Sequence, residues 1–383
     1  MTAKINGIDQ CEPTKQSESK KKREFDFSRF PERRVAFLFL YVGWEFDGYV
    51  AQPGQSKSTE DALLEALERT KLIRSRDYAE WNRCGRTDKN VSGFRQVATC
   101  VVRSTHATDV EVEWPSDSTE VVNRVDKKEE LNYTKILNAV LPKSVRILAW
   151  APVSREFSAR FQCTQRAYRY VRRTPIYNHL SCVLQLMRDA AKRLVGSHDF
   201  RNFCQIDNSK CRLNTTYVRE IFSVQIEEID RDPSAYSMCS LIVRGSGFLW
   251  HQIRFICALL FDVGNRKEAP QLISDLLDTK KFPSRPTYLM AKDLPLCFFD
   301  CSFDVDLKWK FDVDCIRHVI HSLQSQWAEV RIKSEILKKM IDELGDTGTE
   351  GLDQYTQSKN HVPIAKRPAT MSIEERVAKR NKF

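Results

Sequence analysis

The order of the predicted elements restricts the fold of this chain more than any other feature. In the first half, hydrophobic periodicity, capping residues and turn residues predict strands over 35–42, 80–84, 94–103 and 145–153 and helices over 58–73 and 131–141. In the second half they predict strands over 165–173, 217–229, 236–244 and 297–303 and helices over 180–194 and 248–263. The order β-α-β-β-α-β, the split βαβ arrangement, thus occurs twice. It predicts an α+β fold of two ferredoxin-like lobes flanking a central cleft that holds the ligand.

The predicted domains follow from this order and from the composition of the remaining segments. We expect a disordered basic tail over 1–30, which contains the run 20–23, and a polar and basic tail over 346–383. The lobes are predicted over 31–155, with an acidic insertion at about 105–130, and over 156–305. Apolar residues then step by three and four, which predicts a long amphipathic helix over 306–345. This helix would either pair with a second chain or dock on its own core.

The charge of the chain favours a polyanionic partner. It has 61 basic and 51 acidic residues, a formal net charge of +10, and nucleic acid is the commonest soluble polyanion. Its 12 cysteines form no C-x-x-C pair, which is typical of reduced thiols in a nuclear or cytoplasmic protein. We find no secretory signal, and the longest apolar run is too short to span a membrane.

One acidic residue lies in a basic loop over 82–95. Asp88 stands between Arg86 and Lys89, in a turn marked by Gly85, Asn90 and Gly93. A single carboxylate in such a loop indicates an active-site acid that faces an anionic substrate. The alternative is a surface turn in which the aspartate caps its own backbone.

A second candidate lies on the helix predicted over 248–263, where Arg254 is the only charge before Asp262. A helix that is apolar nearly all round is buried, so the guanidinium should point into the protein and meet an acid. Alternatively, Arg254 reaches solvent or pairs with Asp262. We expect the partners of the Asp88 loop to come from this second lobe.

A strand over 166–172 supplies a third candidate surface. Period-two alternation places four basic and aromatic residues on one face, namely Arg166, Tyr168, Tyr170 and Arg172. Such a face can bind phosphates and stack bases, or it can be an exposed sheet edge. Cys315, His318 and His321 have helical ligand spacing but lack a fourth ligand, so we predict no metal site.

Several motifs, in order and spacing, resemble the TruA family of tRNA pseudouridine synthases. They are Y-V-G-W-E-F-D-G-Y with Gln52, the loop G-R-T-D-K-N-V-S-G, F-S-A-R-F at 157–161 followed by R-A-Y-R-Y, G-S-H-D-F-R-N-F at 196–203, and G-S-G-F-L-W-H-Q-I-R at 245–254. The opening tryptophan, the K-N-V-S tetrapeptide and the basic tail are most similar to the eukaryotic branch that modifies tRNA positions 38 and 39. The loop departs from the family pattern at Asn90, where glycine is usual, and at Gly93, where alanine is usual.

The resemblance implies the roles of the candidates. Asp88 would be the catalytic carboxylate, Arg254 its partner, and Tyr168 the active-site tyrosine that removes the C5 proton. The expected RNA contacts are Arg86, Lys89, Arg166, Tyr170 and Arg172. The resemblance further implies tRNA as substrate, no cofactor, no metal, no membrane and in many members a homodimer. The alternatives are a non-catalytic tRNA-binding or RNA-chaperone protein, and the same chemistry at other tRNA positions.

Overall fold

A computed structural model describes residues 25–51, 57–106, 111–118, 129–175, 180–207, 214–230, 236–345 and 361–381. The basic run at 20–23 and most of the predicted N-terminal tail lie outside these residues. The last part of that tail, by contrast, packs on the protein. Asp26 caps a 3-10 turn over Phe27–Arg29, and the guanidinium of Arg103 lies 4.8 Å from the ring centroid of Phe30.

The described residues contain eleven strands and seven α-helices, in the order and of the type that the sequence predicts for the main elements. The strands are β1 Glu32–Tyr41, β2 Asn82–Arg83, β3 Ser92–Arg103, β4 Val112–Glu113, β5 Val145–Pro152, β6 Cys163–Pro175, β7 Gly196–Asp199, β8 Val218–Asp230, β9 Tyr236–Gly245, β10 Leu296–Phe303 and β11 Lys310–Phe311. The helices are α1 Thr59–Arg69, α2 Tyr133–Asn138, α3 Leu180–Lys192, α4 Gln252–Gly264, α5 Gln271–Leu277, α6 Val313–Gly345 and α7 Ile373–Arg380. The predicted α+β class is confirmed.

The strands form one continuous sheet in the order β11-β5-β1-β3-β10-β6-β9-β8-β7, with β2 on β3 and β4 on β1. Strand pairs within each half are antiparallel. The two halves meet where β3 and β10 pair in parallel, through Ser92 with Cys297 and Gly93 with Phe298. The halves are therefore joined edge to edge, rather than being separate sheets on either side of a cleft.

Strand β1 is the most buried strand of the first half, with nine of its ten residues buried. One face packs into a core with α1 and α2 that includes Phe37, Phe39 and Tyr133. The opposite face packs against the segment around Phe157 and the start of α6. Because both faces are covered, the strand is a continuous apolar run, as the sequence pattern indicates.

The second half places its helices on β8 and β9. Helices α3, α4 and α5 contribute to one core with these strands, and eleven of the thirteen residues of α4 are buried. This burial explains why the sequence of α4 is apolar on nearly every side. It also places Arg254 inside the protein.

Among the described residues, helix α6 packs on its own chain at its beginning. Val319 is 4% exposed, and Ile316 and Leu323 pack beside it against the first half of the sheet. Further along, Trp327 is 70% exposed and Leu337 is 61% exposed. None of the helices in the described ranges is both long and apolar enough to cross a bilayer.

Two segments that we expected to be unstructured pack in part. Within the insertion, β4 pairs with the start of β1, and the carboxylate of Asp117 accepts two hydrogen bonds from Arg74, at 2.7 and 2.9 Å. Within the C-terminal tail, Ile364 is fully buried in the core of the second half. Residues of α7 pack on Cys204 and Tyr217. The expectation of a tail is therefore wrong for 361–381.

The sequence did not show this packing because only a few apolar residues anchor the segment. Glu268 holds it at the polar side, since its carboxylate accepts hydrogen bonds from His361 at 2.9 Å and from the backbone N–H of Ile364 at 2.8 Å. An eight-residue helix is too short to display an apolar period.

We expect Ile364→Ala to lower the free energy of unfolding by about 2–4 kcal/mol, because it leaves a cavity in the core. The matched control is Val362→Ala, since Val362 is 53% exposed and its truncation should change stability by less than about 0.5 kcal/mol. Urea denaturation of both variants measures the difference. Equal stabilities would show that the segment is not anchored in the core.

Candidate active site

The loop that carries Asp88 lies between β2 and β3, against the turn that follows β1. The backbone N–H of Tyr49 donates to the carbonyl of Thr87 at 3.1 Å, and that of Asn90 donates to Phe46 at 3.2 Å. Gly48 has a φ of +114°, and a Cβ there would lie 3.2 Å from the Thr87 carbonyl. The turn and the loop thus approach each other closely, which fixes the backbone that carries the acid.

The two departures from the family pattern have structural explanations. Asn90 has a φ of 63°, a conformation that asparagine tolerates better than most residues. A Cβ at Gly93 would lie 2.4 Å from the ring of Tyr41. The hydroxyl of this tyrosine forms a 2.8 Å hydrogen bond with that of Thr87. Glycine at position 93 therefore makes room for a tyrosine that supports the loop beside Asp88.

Asp88 is paired with Arg254, as predicted. Nη1 of Arg254 is 3.6 Å from Oδ2 of Asp88, and Nε donates to the carbonyl of Ala291 at 2.8 Å. Arg254 is 8% exposed, whereas the Asp88 side chain is 31% exposed. The alternatives, Asp262 or solvent as the partner of Arg254, are therefore wrong. The acid comes from the first half of the chain and its cation from the second, so the site lies where the halves meet.

His251 also contacts the acid, and sequence reasoning missed it. Its Nε2 is 3.3 Å from Oδ2 of Asp88, and its ring centroid lies 4.6 Å from that of Trp250. Burial lowers the pKa of His251, Arg254 lowers it further and Asp88 opposes this. The sequence did contain one signal for this contact. His251 stands three residues before Arg254, and residues three apart at the start of a helix share one face.

Tyr168 lies beneath the loop. Its ring packs edge-on against Phe248 and Phe298, with centroids 5.4 and 5.3 Å away, and its hydroxyl donates to the carbonyl of Arg86 over 3.5 Å. Burial raises the pKa of Tyr168 well above its usual range, so the phenol is protonated at neutral pH. This supports a role in holding the loop and weakens the predicted role as a base.

Arg166 supports the loop instead of facing solvent. Its guanidinium donates to the carbonyls of Cys84 at 3.0 and 3.2 Å, of Arg160 at 2.9 Å and of Ser246 at 2.8 Å. A fifth, longer bond reaches Cys163 at 3.4 Å. Because these carbonyls occupy its N–H groups, the prediction that it binds phosphate is wrong for this structure.

Tyr170 and Arg172 are not placed as RNA contacts either. Tyr170 is 5% exposed and packs in the core of the second half. The guanidinium of Arg172 lies 3.9 Å from the ring centroid of Phe261. The physical reason is that both edges of β6 are paired, with β10 and β9, and that the core of the second half, including Phe261 of α4, lies against the face that carries these two residues.

Two predicted RNA contacts remain on the accessible side of the loop. Arg86 is exposed, and Lys89 is exposed with its Nζ 2.7 Å from Asp47. Among the described residues, no group of three or more histidine, cysteine, aspartate or glutamate side chains is arranged to hold a metal ion.

Comparison with known proteins identifies the family. A family model described as "tRNA pseudouridine synthase" matches residues 190–304. "Probable tRNA pseudouridine synthase tag-124" of Caenorhabditis elegans is 42% identical over 379 residues, which cover 94% of this chain and 92% of the relative. "tRNA pseudouridine(38/39) synthase" of Mus musculus is 37% identical and covers 90% and 72%. "tRNA pseudouridine synthase A" of Methanothermobacter thermautotrophicus is 28% identical and covers 84% and 100%.

These relatives match the chain along most of its length, so the likeness includes both the Asp88 loop and the helix of Arg254. Three of the motifs that suggested the family, namely the opening turn, the Asp88 loop and the segment over 245–254, meet at one site, with the acid from one half and its cation from the other. The resemblance is thereby confirmed: this chain belongs to the TruA-type family of tRNA pseudouridine synthases.

Proposed function

We propose that this chain isomerises uridine to pseudouridine at positions 38 and 39, in the anticodon arm of tRNA, with Asp88 as the catalytic carboxylate. The observation that carries the proposal is the contact of a partly exposed carboxylate with Arg254, a buried arginine of the opposite half. Relatives named for positions 38 and 39, such as the mouse protein, support the choice of site. A basic chain with exposed Arg86 and Lys89 beside the acid suits a polyanionic substrate.

The predicted lobes are part of the same proposal. The strand order β5-β1-β3-β2 of the first half equals β10-β6-β9-β8 of the second, and both are antiparallel. This is the order expected of a split βαβ unit. We therefore assign one ferredoxin-like lobe to 31–155 and another to 156–305, with tRNA bound across the junction between them.

The reaction breaks the N1–C1′ bond of uridine, rotates the base, joins C5 to C1′, and transfers the C5 proton away while N1 gains one. The uridine must first leave the base stack, which costs a few kcal/mol, roughly, and costs least at the edge of a loop. Asp88 then acts on the ribose, either as a nucleophile at C1′ or by accepting the C2′ proton. Arg254 keeps the carboxylate oriented and close to a positive charge in both routes.

A non-catalytic tRNA-binding or RNA-chaperone protein is the rival interpretation. Binding to phosphates needs cations but gains nothing from a carboxylate held at the centre of the basic surface. The oligomeric state belongs to the proposal as well. The exposed apolar residues of α6, Trp327 and Leu337 among them, would be buried by a second copy of the chain, which favours a homodimer.

The experiment is to incubate the purified protein with unmodified tRNA transcripts and to map pseudouridine by mass spectrometry of nuclease fragments. We expect conversion of uridine at 38 and 39, and none in transcripts with cytidine at both positions. Binding without conversion would favour the rival interpretation. Conversion elsewhere in the tRNA would retain the enzyme class and overturn the assignment of positions.

A further inference from the structure

Two donors engage the same oxygen of Asp88. Nε2 of His251 lies 3.3 Å from Oδ2, and Nη1 of Arg254 lies 3.6 Å from it. The described part of the chain places no donor on Oδ1. The carboxylate is therefore held on one side, and its other oxygen is left for a reacting group.

The backbone of His251 is held in an unfavourable conformation. It has φ 63° and ψ 6°, in the left-handed region, at the N-cap position of α4, and its side chain forms no capping hydrogen bond. N-caps are usually serine, threonine, aspartate or asparagine, which satisfy a helix N–H. Here the side chain instead points to Asp88. A strained residue aimed at a candidate catalytic group indicates a functional constraint.

The surroundings of the two ring nitrogens favour one tautomer of the imidazole. A hydrogen on Nε2, the nitrogen 3.3 Å from Oδ2 of Asp88, suits a carboxylate acceptor and leaves Nδ1 as an acceptor. Nδ1 is buried, with no partner among the described residues, so protonation there would bury an unpaired N–H. The charged groups that act on the ring are Asp88 and Arg254. The imidazole is therefore neutral at neutral pH.

We propose that His251 is a positioning residue for the synthase reaction, which donates from Nε2 to Oδ2 of Asp88 and, with Arg254, presents Oδ1 to the ribose. The inference rests on the proposed function. It adds that the two carboxylate oxygens have different roles, one held and one reacting. It also adds that the donor beside the arginine must stay uncharged.

The sign of the pH effect follows from the lowered pKa of His251, which lies below its usual 6.5. At neutral pH the ring is neutral and the rate is unaffected. As pH falls through this lowered pKa, the imidazolium forms and gives Asp88 a second positive neighbour. This makes Oδ1 a weaker nucleophile and a weaker base, so the rate should fall.

The test is the single-turnover rate of pseudouridine formation between pH 5 and 8, at saturating enzyme, on unmodified tRNA. The variants are His251→Gln, which keeps an N–H donor but does not titrate, and His251→Leu, which has no donor. His318→Gln is the control, because His318 is an exposed histidine on α6. Thermal melts and tRNA binding establish that each variant is folded and binds its substrate.

We expect the leucine variant to lose about 10- to 100-fold in rate at pH 7.5, with tRNA affinity unchanged. The rate of the glutamine variant should remain within about fivefold of the wild-type rate. Its rate should not fall at acid pH, whereas the rates of wild type and His318→Gln should. The proposal would be overturned if the rates of wild type and His251→Gln depended on pH in the same way, or if the leucine variant were as fast as wild type. A wild-type protein that converts no uridine would instead overturn the proposed function.

Discussion

Asp88→Asn should abolish pseudouridine formation while leaving tRNA binding nearly intact. We expect a loss of at least about 10³-fold in single-turnover rate, or about 4 kcal/mol in the barrier. The amide oxygen of asparagine can still accept from Arg254 and His251, so the loop should keep its conformation. Its amide group can neither attack C1′ nor accept a proton from C2′. Affinity is supplied by many cations at once and should change little.

The matched control for this experiment is Asp275→Asn. Asp275 is also a partly exposed aspartate, and its carboxylate is 2.7 Å from a lysine, Lys281. Removing its charge should alter neither rate nor binding. Single-turnover assays and filter binding on both variants separate catalysis from affinity. Retention of more than about a tenth of the rate by the Asp88 variant would remove this residue from the catalytic role.

Arg254→Leu should lower the rate by about 10²-fold and the free energy of unfolding by about 1–3 kcal/mol. The apolar surroundings of α4 accept leucine, but Asp88 loses its cation and the carbonyl of Ala291 loses its donor. Arg254→Lys should be intermediate, because an ammonium keeps the charge but cannot replace a guanidinium that bonds two groups at once. Rates and urea denaturation of both variants measure these effects.

The control for the arginine series is Arg193→Leu. The Arg193 side chain donates to Gln271 and Ser274 on the surface and takes no part in the site. Its loss should leave the rate unchanged and lower stability by less than about 1 kcal/mol. If Arg254→Leu behaved in the same way, the contact between Arg254 and Asp88 would have no catalytic consequence.

Local patterns predicted most of the fold and the central pair of the site. Long apolar runs identified β1 and α4, because each is buried along most of its length. Helix α3 showed a helical period because it buries one face. The apolar helix predicted that Arg254 meets an acid, and the family resemblance implied that this acid is Asp88. Short elements such as β4, β7 and α7 were missed, since they contain too few residues to show a period.

The roles predicted on β6 failed for a different reason. Period two correctly places residues on a face, but the sequence does not show what covers that face. Only the tertiary structure shows that the guanidinium of Arg166 donates hydrogen bonds to backbone carbonyls of separate loops and that Tyr170 lies in a core. His251 was missed because it lies just before α4 in a left-handed backbone conformation, and only its spacing of three residues from Arg254 connects it to the site in the sequence.

The parallel seam between β3 and β10 has a consequence for how such an enzyme can be divided. Only two residue pairs register across it, yet the acid lies on one side and both of its donors on the other. The complete site therefore forms only when the two halves are joined along β3 and β10, and neither half contains it alone. A gene encoding the second half by itself would specify Arg254 and His251 with no carboxylate to orient. If the gene were split between the two halves, activity would therefore require the two products to reassemble along this edge.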